Sequence, residues 1–324
     1  MIACLALLDR LLLLLARRAT LFLPWSLALG LAFQDLAATL KPLVTPLVVA
    51  LLGIAMARTD WPAFVAVLRR PWLGLATILV AMGLVPLLAT PLLHALPIAP
   101  GLALALSLMA CLPPLTSMPA VAGFLGLDRA LSLFMMLAGT ALMPFTVPPL
   151  ALLLFGLDLK IGVVEFVLRL AGLVLGGAAL ALLLRRVLDR APHAAPRIDG
   201  LAVVILMVFA IPIMDGVLVR LQNEPWRTAG FVLWGFLATF VYIAFATLLF
   251  RPFGIRSACT AGYGSGSRNN AMLLAVLPAT VDPDYFLFIA AIQFPIYLTP
   301  TLLQPVYRRV IGRDRYRRDV AADA

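Results

Sequence analysis

The chain has 324 residues, 63% of them hydrophobic and only 12% charged, with a mean hydropathy of +1.06 and a net charge of +10. Soluble domains carry about 25% charged residues, so a water-soluble globular class is excluded and an all-α polytopic protein of the lipid bilayer is expected. The positive charge sits in short loops and at the C-terminus rather than on a basic domain, which argues against a nucleic-acid partner.

The chain opens with residues 1–18, an apolar stretch cut by Asp9-Arg10. A cleaved signal peptide places its charge first and ends in small residues. Here the charge follows the apolar run, so these residues read as an amphipathic lead-in on the cytoplasmic face; a cleaved signal or an extra half-span is the alternative. A membrane helix needs about 20 apolar residues. Ten runs fit, at about 20–36, 40–57, 71–93, 98–125, 130–156, 161–184, 200–219, 229–250, 257–279 and 285–307. The first two are short and either merge or tilt. A basic tail follows over residues 309–324.

Orientation comes from the basic residues. Nineteen of the 25 lie in one alternate set of loops together with both termini, four in the other set, and two, Arg169 and Arg268, within spans. The positive-inside rule then places both termini in the cytoplasm, as in a protein of the cell inner membrane, and requires an even number of spans. The division falls near Lys160, giving a first repeat over 19–158 and a second over 159–308. Each has five spans. Five is odd, so two homologous halves enter the membrane in opposite senses, the inverted repeat of many secondary transporters.

Two runs are interrupted at matching places. The fourth carries Pro113-Pro114-Leu115-Thr116-Ser117-Met118-Pro119, and the ninth carries Gly262-Tyr263-Gly264-Ser265-Gly266-Ser267-Arg268-Asn269-Asn270. Hydrocarbon cannot satisfy loose backbone, so such breaks survive only inside protein or beside a wet cavity. Pro113, Pro114, Pro119, Gly262 and Gly264 are the expected breakers. Arg268 is the leading single residue, because a mid-membrane arginine costs about 2.5–3.5 kcal/mol and is functional by default. It either hooks an anionic solute through its planar fork or is structural, in an ion pair or bound to carbonyls so that it locks the crossing. Thr116 and Ser117 either line the site or satisfy backbone that proline leaves unpaired. Ser265, Asn269 and Asn270 add polar groups. Glu165 and Arg169 have the spacing of a helical ion pair. Asp215 is either a proton carrier or a helix-end cap. Cys4, Cys111 and Cys259 are far apart, His94 and His193 fall at helix ends or loops, and no metal or cofactor spacing is present.

At these breaks the chain resembles the bile acid–sodium symporter family, within the superfamily that also contains arsenite and auxin carriers. The stretch from Ala16-Arg17-Arg18 to Trp61, with Gly53-Ile54-Ala55-Met56 before the first cytoplasmic loop, is similar to the family's first two helices. Pro113 to Pro119 with Leu127-Asp128-Arg129-Ala130-Leu131-Ser132 resembles its fourth helix entering its fifth, and Gly264-Ser265-Gly266-Ser267-Arg268-Asn269 resembles its ninth. The resemblance implies ten helices in a panel domain and a core domain, with two broken helices crossing near Thr116-Ser117 and near Ser265-Gly266. It also implies binding roles for Ser132, Gly266 and Asn269. Gly264 stands where sodium-coupled members have Glu, Arg268 where they have Gln, and Met118-Pro119 where they have Ser-Asn. A hard cation wants several oxygen ligands, so these departures argue against sodium at the family's sites.

The expected function is a secondary transporter of a small organic, anionic solute, coupled to sodium, to protons or to neither. The alternatives are a sensor or scaffold that kept the fold, and an arsenite-type or auxin-type efflux carrier. No acid/base pair or nucleophile suggests an enzyme.

Overall fold

The computed structural model describes residues 12–14, 19–68, 71–155, 162–191, 194–277 and 282–322. Most of the lead-in over 1–18, together with Arg69, Arg70, Lys160, His193 and the tail side chains from residue 313 on, lies outside the described residues. Among the described residues every regular element is helical. α1 spans Ala19–Ala32. α2 (Gln34–Leu40) passes through a 3-10 turn into α3 (Val44–Ala57). α4 (Trp61–Leu68) precedes α5 (Pro71–Leu79), which runs through a π-helical turn at Val80–Leu84 into α6 (Val85–Ala95). α7 (Pro100–Cys111) and α8 (Met118–Leu125) flank a break and lead to α9 (Arg129–Phe155) and α10 (Val163–Arg190). α11 (Ala195–Ile213), the short α12 (Val217–Asn223) and α13 (Pro225–Phe250) follow. α14 (Ile255–Gly266) and α15 (Asn270–Val276) flank the second break, before α16 (Pro283–Ala291) and α17 (Gln293–Ala322).

Among the described residues, seven helical stretches are long and apolar enough to cross a membrane: Gln34–Ala57, Pro71–Ala95, Arg129–Leu154, Val163–Arg190, Ala195–Ile213, Pro225–Phe253 and Pro283–Gly312. The chain is an all-α polytopic membrane protein. Its outer faces agree. Leu168, Leu175 and Leu182, each seven residues apart on α10, are about two-thirds exposed, an apolar stripe that only lipid covers without cost. Trp72 and Trp226 stand 81% and 89% exposed at the starts of their spans, the place of interfacial aromatic anchors. Of the ten expected spans, seven correspond to these stretches. The first is the 14-residue α1, about 21 Å at 1.5 Å per residue, and the fourth and ninth are each split in two.

Contacts divide the chain into two compact units, each drawing on both halves of the sequence. The first comprises Met1–Thr59, Leu168–Ala229 and Ala271–Pro278. Here α11 is the hub, packing on α1, α2 and α3. Glycines let backbones close: a Cβ on Gly53 would sit 2.8 Å from Leu180, and one on Gly177 would sit 2.7 Å from Leu52. Each leucine fills the gap opposite the other helix's glycine, the small-residue packing that holds helices together without a hydrophobic drive. Gln34 joins the ends of α1 and α11. Its amide donates to Gly30, Leu31 and Met214 carbonyls and accepts from the Gly216 N–H, satisfying groups that helix ends leave open. Arg58 grips Asp199 with two hydrogen bonds of 2.8 and 3.0 Å.

The second unit comprises Asp60–Val167, Gly230–Asn270 and Ala279–Ala324. α9 is its spine and packs on α4, α5, α7, α8 and α14. The first broken helix and the α14 half of the second run through its interior, whereas the chain from Ala271 to Pro278 belongs to the first unit. In α14 every residue from Ala258 to Gly266 is buried, and in α7 all from Gly101 to Cys111 are buried except the half-buried Leu104.

Candidate functional site at the crossing of two broken helices

Prolines create the first open carbonyls. Pro86 stands one residue into α6, where its ring would strike the carbonyl four residues back in a regular α-helix. The preceding turn widens to π register instead, and the Val85 N–H donates to Val80. In that register the Ala81 carbonyl would next accept from residue 86, and proline has no N–H. Ala81 is therefore left without a helical donor. Leu112 precedes Pro113, which pushes it out of the helical region. It is extended, with ψ 155°, so α7 stops and the Leu112 carbonyl is also unclaimed.

The second break lies directly against the first. α14 ends at Gly266, and Ser267 is extended, with φ −95° and ψ 97°. Leu115 N–H donates to the Ser267 carbonyl and Asn269 N–H to the Pro113 carbonyl, both at 3.0 Å, forming an antiparallel bridge between Pro114 and Arg268. Each break supplies the other's missing partners, which is how irregular backbone meets the requirement for internal satisfaction at membrane depth.

Arg268 closes the arrangement and is 0% exposed. Nη1 donates to the Leu112 carbonyl at 2.6 Å and Nη2 to the Ala81 carbonyl at 2.7 Å. The guanidinium thus takes the two acceptors that prolines opened. Its Nε–H has no partner, and no carboxylate pairs with it among the described residues. Tyr242 and Cys111 lie near enough to feel its charge.

The crossing differs from expectation in position. Thr116 and Ser117 lie past the bridge, half-buried and exposed, in the turn where Met118 N–H donates to Leu115; Pro119 then sits in the first turn of α8. Ser265 and Gly266 remain helical. Gly262 and Gly264, expected as breakers, lie inside α14 because its neighbours pack against them. A Cβ on Gly262 would strike Thr247, and one on Gly266 would sit 2.5 Å from the Thr239 carbonyl, so both glycines admit α13. A Cβ on Gly264, on another face, would lie 2.7 Å from the methyl ends of Met118 and Met135.

Pro113, Pro114, Arg268 and Asn269 are brought together. Asn270 joins through its Nδ2, which donates to the Arg268 carbonyl at 3.3 Å, while its Oδ1 has no partner. Ser265 is 0% exposed and its hydroxyl is also unpartnered. Ser132 is not at the crossing. Its hydroxyl donates to the Arg129 carbonyl in the first turn of α9. The residue of α9 that meets Pro113, Pro114 and Met82 is Gly139, seven residues on and about 10 Å further along the axis. Asp215 belongs to the first unit, in the turn after α11, and forms an ion pair with Lys41. Arg169 donates to the Val276 carbonyl.

Residue reading missed Ala81, Gly139 and Tyr242. Pro86 inside an apolar run was the available signal for the first. Every buried side-chain nitrogen or oxygen without a partner, among the described residues, belongs to the second unit, including Ser107, Thr140, Tyr242 and Tyr285. Buried polar groups are normally satisfied by protein, water or ligand, so this unit has a polar interior with unspent hydrogen-bonding capacity. No protein-family model matches the chain, and no curated protein matches it.

Proposed function

We propose that the chain is a secondary active transporter that moves a small organic anion by alternating access, with a fold of the kind found in the bile acid–sodium symporter family. The observation that carries the reading is the pairing of two helix breaks around a buried arginine that has carbonyl partners but no carboxylate among the described residues. A net positive charge in a low-dielectric interior favours an anion beside it, and midplane sites in transporters form where discontinuous helices meet. The unspent hydroxyl and amide groups of the same unit supply further contacts.

The ten-span inverted repeat is part of the proposal. Of the expected spans, the first unit holds the first two of each half and the second unit the last three, apart from short end segments. Two five-span repeats would divide in this way. Both termini are placed in the cytoplasm by the arginine distribution. No coupling ion is assigned: Gly264 replaces the carboxylate that sodium-coupled relatives would carry, and Asp215 is occupied by Lys41 in the first unit. No enzymatic activity is assigned.

The test is flux into proteoliposomes holding the purified protein, under imposed sodium and pH gradients, with panels of organic anions and cations. Saturable movement of an anion supports the reading. Absence of flux for every anion, with folded protein in the membrane, favours a sensor or scaffold.

A further inference from the structure

A second basic feature lies away from the crossing. Between the end of α8 and α17 the second unit holds a cleft of about 250 Å³, with Gly123, Gly126, Tyr307 and Arg308 in its walls and Leu125 and Ile311 as apolar lining. A second guanidinium, that of Arg129, packs on the wall residue Gly123. A Cβ on Gly123 would lie 2.9 Å from its Nε and 3.2 Å from its Nη2, so the group rests on the backbone where glycine leaves room.

These two arginines are unspent. Neither the Arg129 nor the Arg308 side chain makes a hydrogen bond or ion pair among the described residues, and both are exposed. Their charged neighbours are directed at backbone groups. Arg256 donates to the Gly126 and Leu127 carbonyls at 3.1 and 3.0 Å, which already satisfies the end of α8. Asp128 spends Oδ1 on the Ala130 and Leu131 N–H groups and leaves Arg129 without a carboxylate partner. The cleft lies where the apolar spans stop. α9 begins its span at Arg129, and that of α17 ends at Gly312, which is headgroup depth.

We propose that this cleft holds the phosphate headgroup of an anionic phospholipid. Two guanidiniums supply the planar donors that phosphate oxygens accept. The half-buried Ile311 faces the start of the acyl chains. The positive-inside rule puts the site in the cytoplasmic leaflet, where anionic lipids concentrate and basic pockets between helices bind headgroups. A free phosphate shares the chemistry of the headgroup but gains nothing from the apolar lining. The inference requires only that the chain spans a membrane, so it stands or falls separately from the transport reading.

The experiment is native mass spectrometry of the full chain in a neutral detergent, with phosphatidylglycerol or phosphatidylcholine of identical acyl chains and with inorganic phosphate as competitor. The expected result is at least a roughly tenfold preference for phosphatidylglycerol, as charge-assisted guanidinium–phosphate bonds allow. That preference is lost in the Arg129→Gln/Arg308→Gln double variant and kept in Arg186→Gln, an exposed charge in the other unit. Gly123→Ala keeps both charges but displaces the Arg129 guanidinium, and it weakens phosphatidylglycerol binding several-fold, which guards against a double variant that fails to fold. Equal binding of the two lipids, or unchanged preference in both cleft variants, overturns the proposal. Displacement of phosphatidylglycerol by equimolar inorganic phosphate also overturns it, in favour of a free-anion site.

Discussion

Arg268 combines two tasks in one side chain. Its Nη atoms hold the Leu112 and Ala81 carbonyls, and its charge has no acidic counterpart among the described residues. These tasks separate by substitution. Arg268→Met leaves both carbonyls buried without donors, each costing about 1–3 kcal/mol, and thermal denaturation of the purified protein is expected to show a clear loss of stability. Arg268→Gln keeps one donor group and removes the charge. It is expected to fold with a smaller loss and to bind organic anions roughly tenfold more weakly or worse, as read by ligand-induced thermal shift. Pro86→Ala returns an N–H to α6 and lets Ala81 find a helical donor. Arg268 then shares one of its two acceptors with the helix, and hydrogen exchange at the crossing should accelerate. If exchange there is unchanged, Pro86 is not what holds the π turn open.

Among the helices, glycine decides proximity. Gly262 and Gly266 recur at the four-residue spacing that lets one membrane helix lie against another, and they face Thr239, Ile243 and Thr247 of α13. Gly266→Ala is expected to cost about 1–3 kcal/mol through overpacking, since a methyl group would meet the Thr239 carbonyl. A melting temperature equal to that of the parent protein would contradict this packing. The same residues mark the limit of sequence reading. The breaks at Pro113 and near Arg268 were legible because proline and charge stand out in an apolar run. In the ninth run a glycine reads as a helix breaker, as expected of Gly262 and Gly264, yet glycine spacing equally signals close helix contact; only the tertiary neighbours decide between these readings. Ser132 was carried by resemblance to the crossing, but its place one turn into α9 leaves it with its own Arg129 carbonyl. The π turn at Val80–Leu84 was invisible as such, because register depends on which carbonyl Pro86 displaces.

At the scale of the molecule, composition alone excluded a soluble fold, and arginine placement carries the orientation. The two compact units were not legible as continuous domains, because each gathers segments from both halves of the chain. Cysteine labelling tests the orientation. In a cysteine-free background, Gln222→Cys is expected to react with an impermeant maleimide from outside intact cells, and Asp189→Cys only after lysis. The reverse pattern would invert the topology, and reaction at both sites from outside would break the even span count. The central claim is that the paired breaks around Arg268 form the site through which an anion passes. Its most direct test is anion uptake by proteoliposomes containing equal amounts of folded parent protein or Arg268→Gln. The account predicts saturable uptake by the parent and background uptake by the variant, whereas equal uptake by both would contradict it.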